Sequence, residues 1–415
     1  MSELSYLEKL LDGAVVQWKT IGEVTSQTNN IKWREATRTY RYVDLTAVDI
    51  ETKKITVTTE ITANNAPSRA QKLLQENDVI FATTRPTQQR FCLIDSEHSG
   101  EVASTGYCVL RAKQDEVLPK WILHWISTRY FNEYVEENQS GSAYPAISDA
   151  KVKECLIPIP CPDNKEKSLA IQSEIVKILD TFTALTAELT AELNMRKKQY
   201  NYYHDRLFSF GAHDVKRLKL GELCVVGDGL HGTPEYDVTG DYFFINGNNL
   251  GYQKISFNDN TKKVNDSMFK KHGIHFDPIN TVFLSINGTI GNVSFYNNER
   301  IVLGKSVAYF KIKSPELHTR YLFYFLQTNY AKQYFENQKT GSTIKNLGLK
   351  SLRAFEIPIP SDDEQLYIVA RMDKFYTLTN SITEGLPREI ELRQKQYEYY
   401  RDMLFSFPKP EVAEA

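Results

Sequence analysis

The sequence is poor in cysteine. Five cysteines, Cys92, Cys108, Cys155, Cys161 and Cys224, are spread over 415 residues, too few and too scattered for a disulfide framework. Cys155 and Cys161, the closest pair, do not form a CxxC, so the spacing indicates no zinc site. Long apolar runs are missing as well. None approaches the roughly 18 residues a membrane span needs, and the start MSELSYLEKL has neither the basic nor the apolar block of a secretory signal. Reduced thiols and no membrane address point to the cytoplasm. There is no excess of one charge either: 50 Lys and Arg against 52 Asp and Glu leave a net of −2, which argues against a wholly basic nucleic-acid binder. With 41% hydrophobic and 25% charged residues, the composition excludes a disordered tail, a collagen and a disulfide scaffold. The length implies two or three domains.

The motifs of bond chemistry are absent too. Gly304-Lys305-Ser306 ends like a phosphate-binding P-loop, but the first glycine such a loop needs would fall at Glu299. No GxGxxG follows a strand, and neither HExxH nor GxSxG occurs. An Asn/Asp-Pro-Pro-aromatic motif of an adenine methyltransferase is missing, and Pro162-Asp163 has no downstream Glu-x-Lys of a restriction-type nuclease. His272 and His275 stand three apart with no third ligand, which reads as surface rather than metal. No catalytic residue, metal or cofactor is expected in this chain.

What is present is a repeat. RKKQYNYYHDRLFSF at 196–210 returns as RQKQYEYYRDMLFSF at 393–407, with 11 of 15 positions identical at an offset of 197. LIPIP at 156–160 returns as EIPIP at 356–360, and the aromatic stretch from Trp121 returns from Tyr321, both at an offset of 200. IGEV at 21–24 answers LGEL at 220–223. Register kept over that span means one unit of about 200 residues occurs twice.

Each copy divides at its IPIP, where the proline pair forces extended backbone. The stretches before it are rich in Val, Ile, Thr, Tyr and Phe in short runs, among them RTYRYVDLTAVDI, NDVIFATT, DYFFING and NTVFLSING, and each closes with an aromatic helix over 118–136 or 317–336. After it the period turns helical. Ile171, Ile175, Ile178, Phe182, Leu185 and Leu189 alternate by four and three, the seam of a coiled coil. Ile368, Met372, Phe375, Thr379, Ile382 and Leu386 take the corresponding places in the second copy. The first helix is expected over 166–207, and the two pack as an antiparallel rod. TAEL TAEL at 186–193 adds about 6 Å of helix per unit while keeping the apolar stripe aligned. Gly385 and Pro387 predict a break in the second helix, with Pro387 opening a fresh one.

The expected class is therefore α+β: an internal pseudo-two-fold repeat of two α+β domains separated by two long antiparallel coiled-coil helices. The boundaries fall at 1–155, 156–210, 211–355 and 356–415. Charge is uneven across them. Residues 211–355 carry 18 Lys and Arg against 12 Asp and Glu, whereas residues 1–155 carry 18 against 21 and 356–415 carry 7 against 12. A basic domain beside an acidic end suits an anionic ligand in one place and a protein partner in another.

Polar loops point to recognition. Asn and Gln pair bidentately with adenine and Arg with guanine in the major groove, while Lys suits phosphates. In the first domain this selects Lys32 and Arg34, then Arg85, Gln88, Gln89 and Arg90. In the second it selects Asp228, His231 and Thr233 in GDGLHGTPEYD, Asn246 and Asn248 in FINGNNL, Asn287 and Thr289 in SINGTIGN, and Lys305. The recurring turns SGSAYPAIS and TGSTIKNLG add the far-reaching Tyr144 and Lys345, with Ser142 and Ser342 as caps of the following helices. The copied helical ends carry Arg196, Lys198, Tyr200 and Tyr203, answered by Arg393, Lys395, Tyr397 and Tyr400. Two near-identical surfaces in a chain whose domains have diverged read as docking sites for two copies of one protein partner.

With these features the chain resembles the specificity (S) subunit of a type I restriction–modification enzyme. The resemblance rests on the two divergent domains, the IPIP punctuation and the helical stretches KSLAIQSEIVKILDTFTALTAELTAELNMRKKQYNYY and SITEGLPREIELRQKQYEYYRDMLFSF. The TAEL repeat resembles the type IC branch in particular. The resemblance implies two target-recognition domains that each read one half of a split DNA sequence. It also implies helices that dock two methyltransferase (M) subunits and up to two motor/nuclease (R) subunits. S-adenosylmethionine, ATP and Mg would then bind those partners, and adenine methylation and cleavage would be theirs. The alternative from another class is a DNA-independent duplicated scaffold that holds two identical enzymes.

Overall fold

The computed structural model describes residues 6–211, 214–380 and 385–408. Two compact units emerge, Met1–Ala191 with Glu389–Ala415, and Glu192–Arg388. Each takes its sheets from one copy of the repeat and the end of a long helix from the other.

Short β-branched and aromatic runs form the sheets, as their propensities require. In the first unit an antiparallel sheet has the order Thr25–Ser26, Tyr107–Ala112, Val79–Ala82, Phe91–Leu93. A second sheet orders Thr59–Ile61, Tyr40–Val43, Val102–Ser104 and Ala70–Leu73, with the middle pair parallel. The second unit repeats this. Cys224–Asp228, Val307–Ile312, Thr281–Ser285 and Val293–Phe295 make one sheet, and Lys263–Val264, Tyr242–Ile245 and Ile301–Leu303 the other, again with a parallel pair. Val79–Ala82 and Thr281–Ser285 lie inside their sheets and are buried throughout.

The IPIP segments do more than punctuate. Leu156–Pro160 pairs antiparallel with Val16–Thr20, and Glu356–Ile359 with Lys216–Lys219. Proline is tolerated because these are two-stranded ribbons with a free edge. The Pro158 carbonyl accepts from Trp121 Nε1 at 3.0 Å, and the Pro358 carbonyl from the Tyr321 hydroxyl at 3.0 Å. The aromatic helix expected over 118–136 is in fact two, Pro119–Trp125 and Arg129–Asn138, and its second copy splits into Thr319–Phe325 and Asn329–Gln338. Thr128 and Thr328 cause the division: their hydroxyls accept from the amides of Phe131 and Ala331 and start a new helix.

Three long helices follow: α1 (Lys165–Leu207), α2 (Asp362–Asn380) and α3 (Leu386–Leu404). Within the first unit Phe182 of α1 stacks on Tyr400 of α3 at 5.3 Å, while Ile171 and Ile175 share a core with Leu404 and Phe405. In the second unit Tyr203 of α1 stacks on Phe375 of α2 at 5.6 Å, while Phe208 shares a core with Ile368 and Met372. Both pairings are antiparallel. The expected register needs correcting by four residues. The structure matches Gln172 with Gln365, Ile175 with Ile368, Leu179 with Met372 and Phe182 with Phe375 by their packing roles. A one-turn slip leaves an apolar stripe on the same face, so periodicity alone cannot detect it. Ile382 of the expected seam lies outside the described residues. Gly385, at φ +80°, immediately precedes α3, and Pro387 sits in the first turn of α3.

Gln172 and Gln365 are buried and act alike. The side-chain oxygen of Gln172 accepts from the Leu118 amide at 2.9 Å and its nitrogen donates to the Glu116 carbonyl at 3.0 Å. Gln365 does the same for His318, at 3.0 Å, and Glu316, at 2.8 Å. Each ties a long helix to the start of an aromatic helix. Gln172→Ala or Gln365→Ala strands a buried amide and carbonyl, and each should cost about 2 kcal/mol. Urea unfolding of the two variants checks this; a change under ~0.5 kcal/mol would mean that water replaces the side chain.

Candidate nucleic-acid interface and helical faces

In the second unit the nominated loops converge. Asp228, at the end of its strand, accepts from His231 Nε2 at 2.7 Å and is the less exposed of the two. Asp228, His231, Asn287 and Lys305 line one recess of about 400 Å³ together with Asn346, Leu347 and Leu349. The turn at 340–346 forms its wall: Leu347 donates to the Ile286 carbonyl at 2.8 Å, Gly288 to the Lys345 carbonyl at 3.2 Å, and Asn287 Nδ2 to Asn346 Oδ1 at 3.5 Å. Asn346, in the turn TGSTIKNLG, carries no signal in the sequence that sets it apart from Lys345 beside it. Asn246 is tied to the same corner, since its Oδ1 accepts from Ser306 Oγ at 3.1 Å and the Ser306 carbonyl accepts from Ile286. Asn248 and Thr289 are exposed, and so is Thr233. Lys345 is exposed but its ammonium donates to the Gly341 carbonyl at 2.8 Å.

The first unit assembles its counterpart. Thr83 and Arg85 meet the turn at 140–147: Arg85 donates its amide to the Pro145 carbonyl at 2.7 Å, and Ile147 to the Thr83 carbonyl at 2.9 Å. The Arg85 guanidinium lies 5.1 Å from the centre of the Tyr144 ring. Gln88 is exposed beside them. Gln89 and Arg90 are occupied inside the domain. Arg90 donates to the Val48 carbonyl at 2.6 Å, and Gln89 Nε2 to Asn132 Oδ1 at 2.9 Å. Gln89 is held at φ +50° with Lys53 donating to its carbonyl, and burial pushes that ammonium down to about 8. Lys53 is a positioning residue that nothing in the sequence marked. Lys32 and Arg34 are exposed on a separate turn, where Trp33 Nε1 donates to the Ala70 carbonyl and Lys32 pairs with Glu35 at 3.3 Å. Ser142 and Ser342 cap no helix. Ser148 caps 149–154 by accepting from the Lys151 amide at 3.2 Å, and Gly348 precedes 349–354.

The expected docking aromatics are also corrected. Tyr397 is turned inward, its hydroxyl 3.0 Å from His124 Nδ1 and 3.2 Å from Ser127 Oγ. Tyr200 packs on the second core and meets the Tyr252 hydroxyl at 3.3 Å. Tyr203 and Tyr400 stack on Phe375 and Phe182. The copied segment therefore closes each unit on the opposite copy's aromatic helices, and that internal role is why both copies share it. Tyr202 and Tyr399 are the most exposed aromatics of these segments, at 58% and 65%, while Tyr203 and Tyr400 keep about a third of their surface exposed beside the stacking. Tyr202 and Tyr399 lie four residues after Lys198 and Lys395, on the same helical faces. Arg196 and Arg393 are engaged along the helix, on Glu192 and Gln199 and on Glu389 and Gln396, and Lys395, itself exposed, pairs with Glu391 at 2.6 Å.

One buried group gives the second unit a pH dependence. Burial pushes His204 down to about 4, against partial compensation from the Tyr324 carbonyl, 3.0 Å from Nε2, and from Asp205. The unfolded chain takes up this proton near pH 6.5, while the folded chain resists to about pH 4. Stability is therefore full above pH 6.5 and falls by about 3 kcal/mol as pH drops through that window. Unfolding followed by far-ultraviolet dichroism should show a larger loss between pH 7 and 4.5 in the wild type than in His204→Gln. Equal losses would remove His204 from the account.

Among the described residues no cluster of His, Cys, Asp or Glu can hold a metal ion, and no helix is long and apolar enough to cross a membrane. Burial pushes the thiols of Cys92, Cys108, Cys155 and Cys224 up to about 12.

A duplicated α+β protein, with polar loops gathered at a corresponding corner of each domain and antiparallel long-helix pairs, is the class that the fold defines. The family model for the type I restriction modification DNA specificity domain matches it twice, over residues 17–196 and 213–392. The chain belongs to the specificity-subunit family of type I restriction–modification systems. The specificity subunit of the Escherichia coli type I restriction enzymes EcoR124I and EcoR124II is 37% identical over 99% of both chains. That of EcoprrI, also from Escherichia coli, is 33% identical over 92% of this chain and 93% of its own. A solved structure concerned with complex assembly and conformational transition of the type I R-M system contains a chain with a TM-score of 0.68 at 22% identity, covering 94% of this chain and 97% of that one. The HsdS subunit from Thermoanaerobacter tengcongensis has a TM-score of 0.50 at 22% identity, covering 94% and 96%. At that identity the likeness speaks for the fold alone.

Proposed function

We propose that the chain is the non-catalytic DNA-reading subunit of a cytoplasmic type I complex, each domain reading one half of a split target. The observation that carries this is the convergence, at corresponding places in both units, of a strand-end loop with the 140–147 or 340–347 turn. In the second unit it gathers Asp228, His231, Asn287, Lys305 and Asn346 into one polar recess. Asn287 and Asn346 there and Arg85 at the first unit's corner suit base edges, and Lys305 suits a phosphate. Gln89 and Arg90, engaged within the domain, position the loop, while Arg85, Gln88 and Tyr144 face the duplex.

Two methyltransferase subunits dock on the helices through the exposed pairs Lys198 with Tyr202 and Lys395 with Tyr399. S-adenosylmethionine, ATP and Mg belong to those partners and to the motor/nuclease subunits, so that adenine methylation and ATP-driven cleavage are directed by this chain and carried out by others. Co-expression with the methyltransferase subunit in a methylation-free host, followed by sequencing for modified adenines, tests the reading. A split motif with a fixed spacer is expected. No modified motif from a complex shown to assemble would overturn it in favour of a DNA-independent scaffold.

A further inference from the structure

The turns at 140–146 and 340–346 share more than position. In both, the base is closed by backbone pairing, Ser140 with Ala146 and Thr340 with Asn346. Both open with a glycine in the left-handed region, Gly141 at φ +94° and Gly341 at φ +96°. A Cβ on either would approach the carbonyl oxygen of Tyr144 at 3.1 Å or of Ile344 at 2.3 Å. The backbone is thus the same tight projection twice, although SGSAYPA and TGSTIKN have few residues in common. At the same place on each tip stands one large apolar side chain, Tyr144 at 71% exposure and Ile344 at 64%, with only small neighbours before it.

Nothing in either domain's core uses these side chains, so folding leaves them on the outside. Both tips are anchored to the reading loops, through Arg85 with Pro145 and through Gly288 with Lys345. Cations flank both: the Arg85 guanidinium lies against the Tyr144 ring, and Lys345 follows Ile344. An apolar tip with a cation beside it fits a partner whose apolar faces lie beneath an anionic backbone. Duplex DNA has that construction.

Resting on the DNA-reading proposal, we infer that Tyr144 and Ile344 are wedges: each enters the duplex at its own half-site and packs against base faces, opening the stack at one step. Aromatic and branched apolar side chains do this at a cost in unstacking that the added contact offsets.

The test uses the full chain assembled with its methyltransferase subunit, and duplexes carrying 2-aminopurine at successive steps of the modified motif. Fluorescence should rise at one step in each half-site. Tyr144→Ala should abolish the rise in one half-site and Ile344→Ala in the other. Each should weaken binding about tenfold and leave the slope of log affinity against log salt unchanged, because phosphate contacts remain. A complex that binds with a steep salt slope yet shows no responsive step, or keeps its response in the alanine variants, overturns the wedge and leaves DNA reading standing. Loss of methyltransferase assembly in either variant also overturns it, since the tips would then contact protein. Absence of salt-dependent DNA binding by the wild-type complex overturns both the wedge and the reading beneath it.

Discussion

Deleting one TAEL, residues 186–189, should shorten the spacer of the target by one or two base pairs and leave both half-sites unchanged. The helix α1 runs unbroken from Lys165 to Leu207, so four residues remove about 6 Å of its length, against about 3.4 Å per base pair. The same four residues turn about 400°, so Leu193 takes the place of Leu189 and the residues after it stay on nearly the same face. No nominated DNA contact lies in the deleted stretch. The methylome of the deletion variant reads spacer and half-sites together. An unchanged spacer would show that α1 does not set the separation, and altered half-site bases would show that the loops are not the readers.

The second large effect is on stability. Phe405→Ala should destabilise the first unit by about 3–5 kcal/mol, the cost of a large aromatic cavity, and leave the second unit at its wild-type midpoint. Phe405 lies 4.6 Å from the Trp121 ring and 5.4 Å from that of Trp125, and Phe407 also packs on Trp121. Trp18 Nε1 donates to the Pro408 carbonyl at 2.7 Å, tying down the segment after the two phenylalanines. All four tryptophans, Trp18, Trp33, Trp121 and Trp125, belong to the first unit. Their fluorescence therefore follows that unit alone, while dichroism follows both. Coincident shifts by the two probes would show that the units unfold together.

The duplication, the strands and the long helices were legible because they are written in periodicity and in repeated words. The break at Thr128 was not, since the apolar pattern runs on across it and only a hydroxyl accepting an amide marks the new start. The four-residue slip between Ile175 and Ile368 was hidden because a helical stripe looks the same one turn along. At the candidate site, residue type alone could not say which side chains are free and which are engaged inside the domain. Asp228, Asn287 and Lys305 came together, but Arg90 and Gln89 resemble base readers in sequence and bond to their own domain in space. Tyr200 and Tyr397 misled for a related reason. A segment copied between units can be shared because it does the same internal job in both, and the exposed Tyr202 and Tyr399 beside them differ only in which way the helix faces.

Because Glu389–Ala415 completes the first unit, order of synthesis and order of completion are reversed. The ribosome makes the first sheets earliest, yet that domain waits for Phe405 and Phe407, which follow every residue of the second unit. The second unit is continuous in sequence and has all its parts before them. A chain interrupted just after Arg388 would carry a finished second domain and an open first one with its aromatic helices uncovered, a state that aggregation and proteolysis remove. The first domain, begun earlier, is thus the later of the two to close.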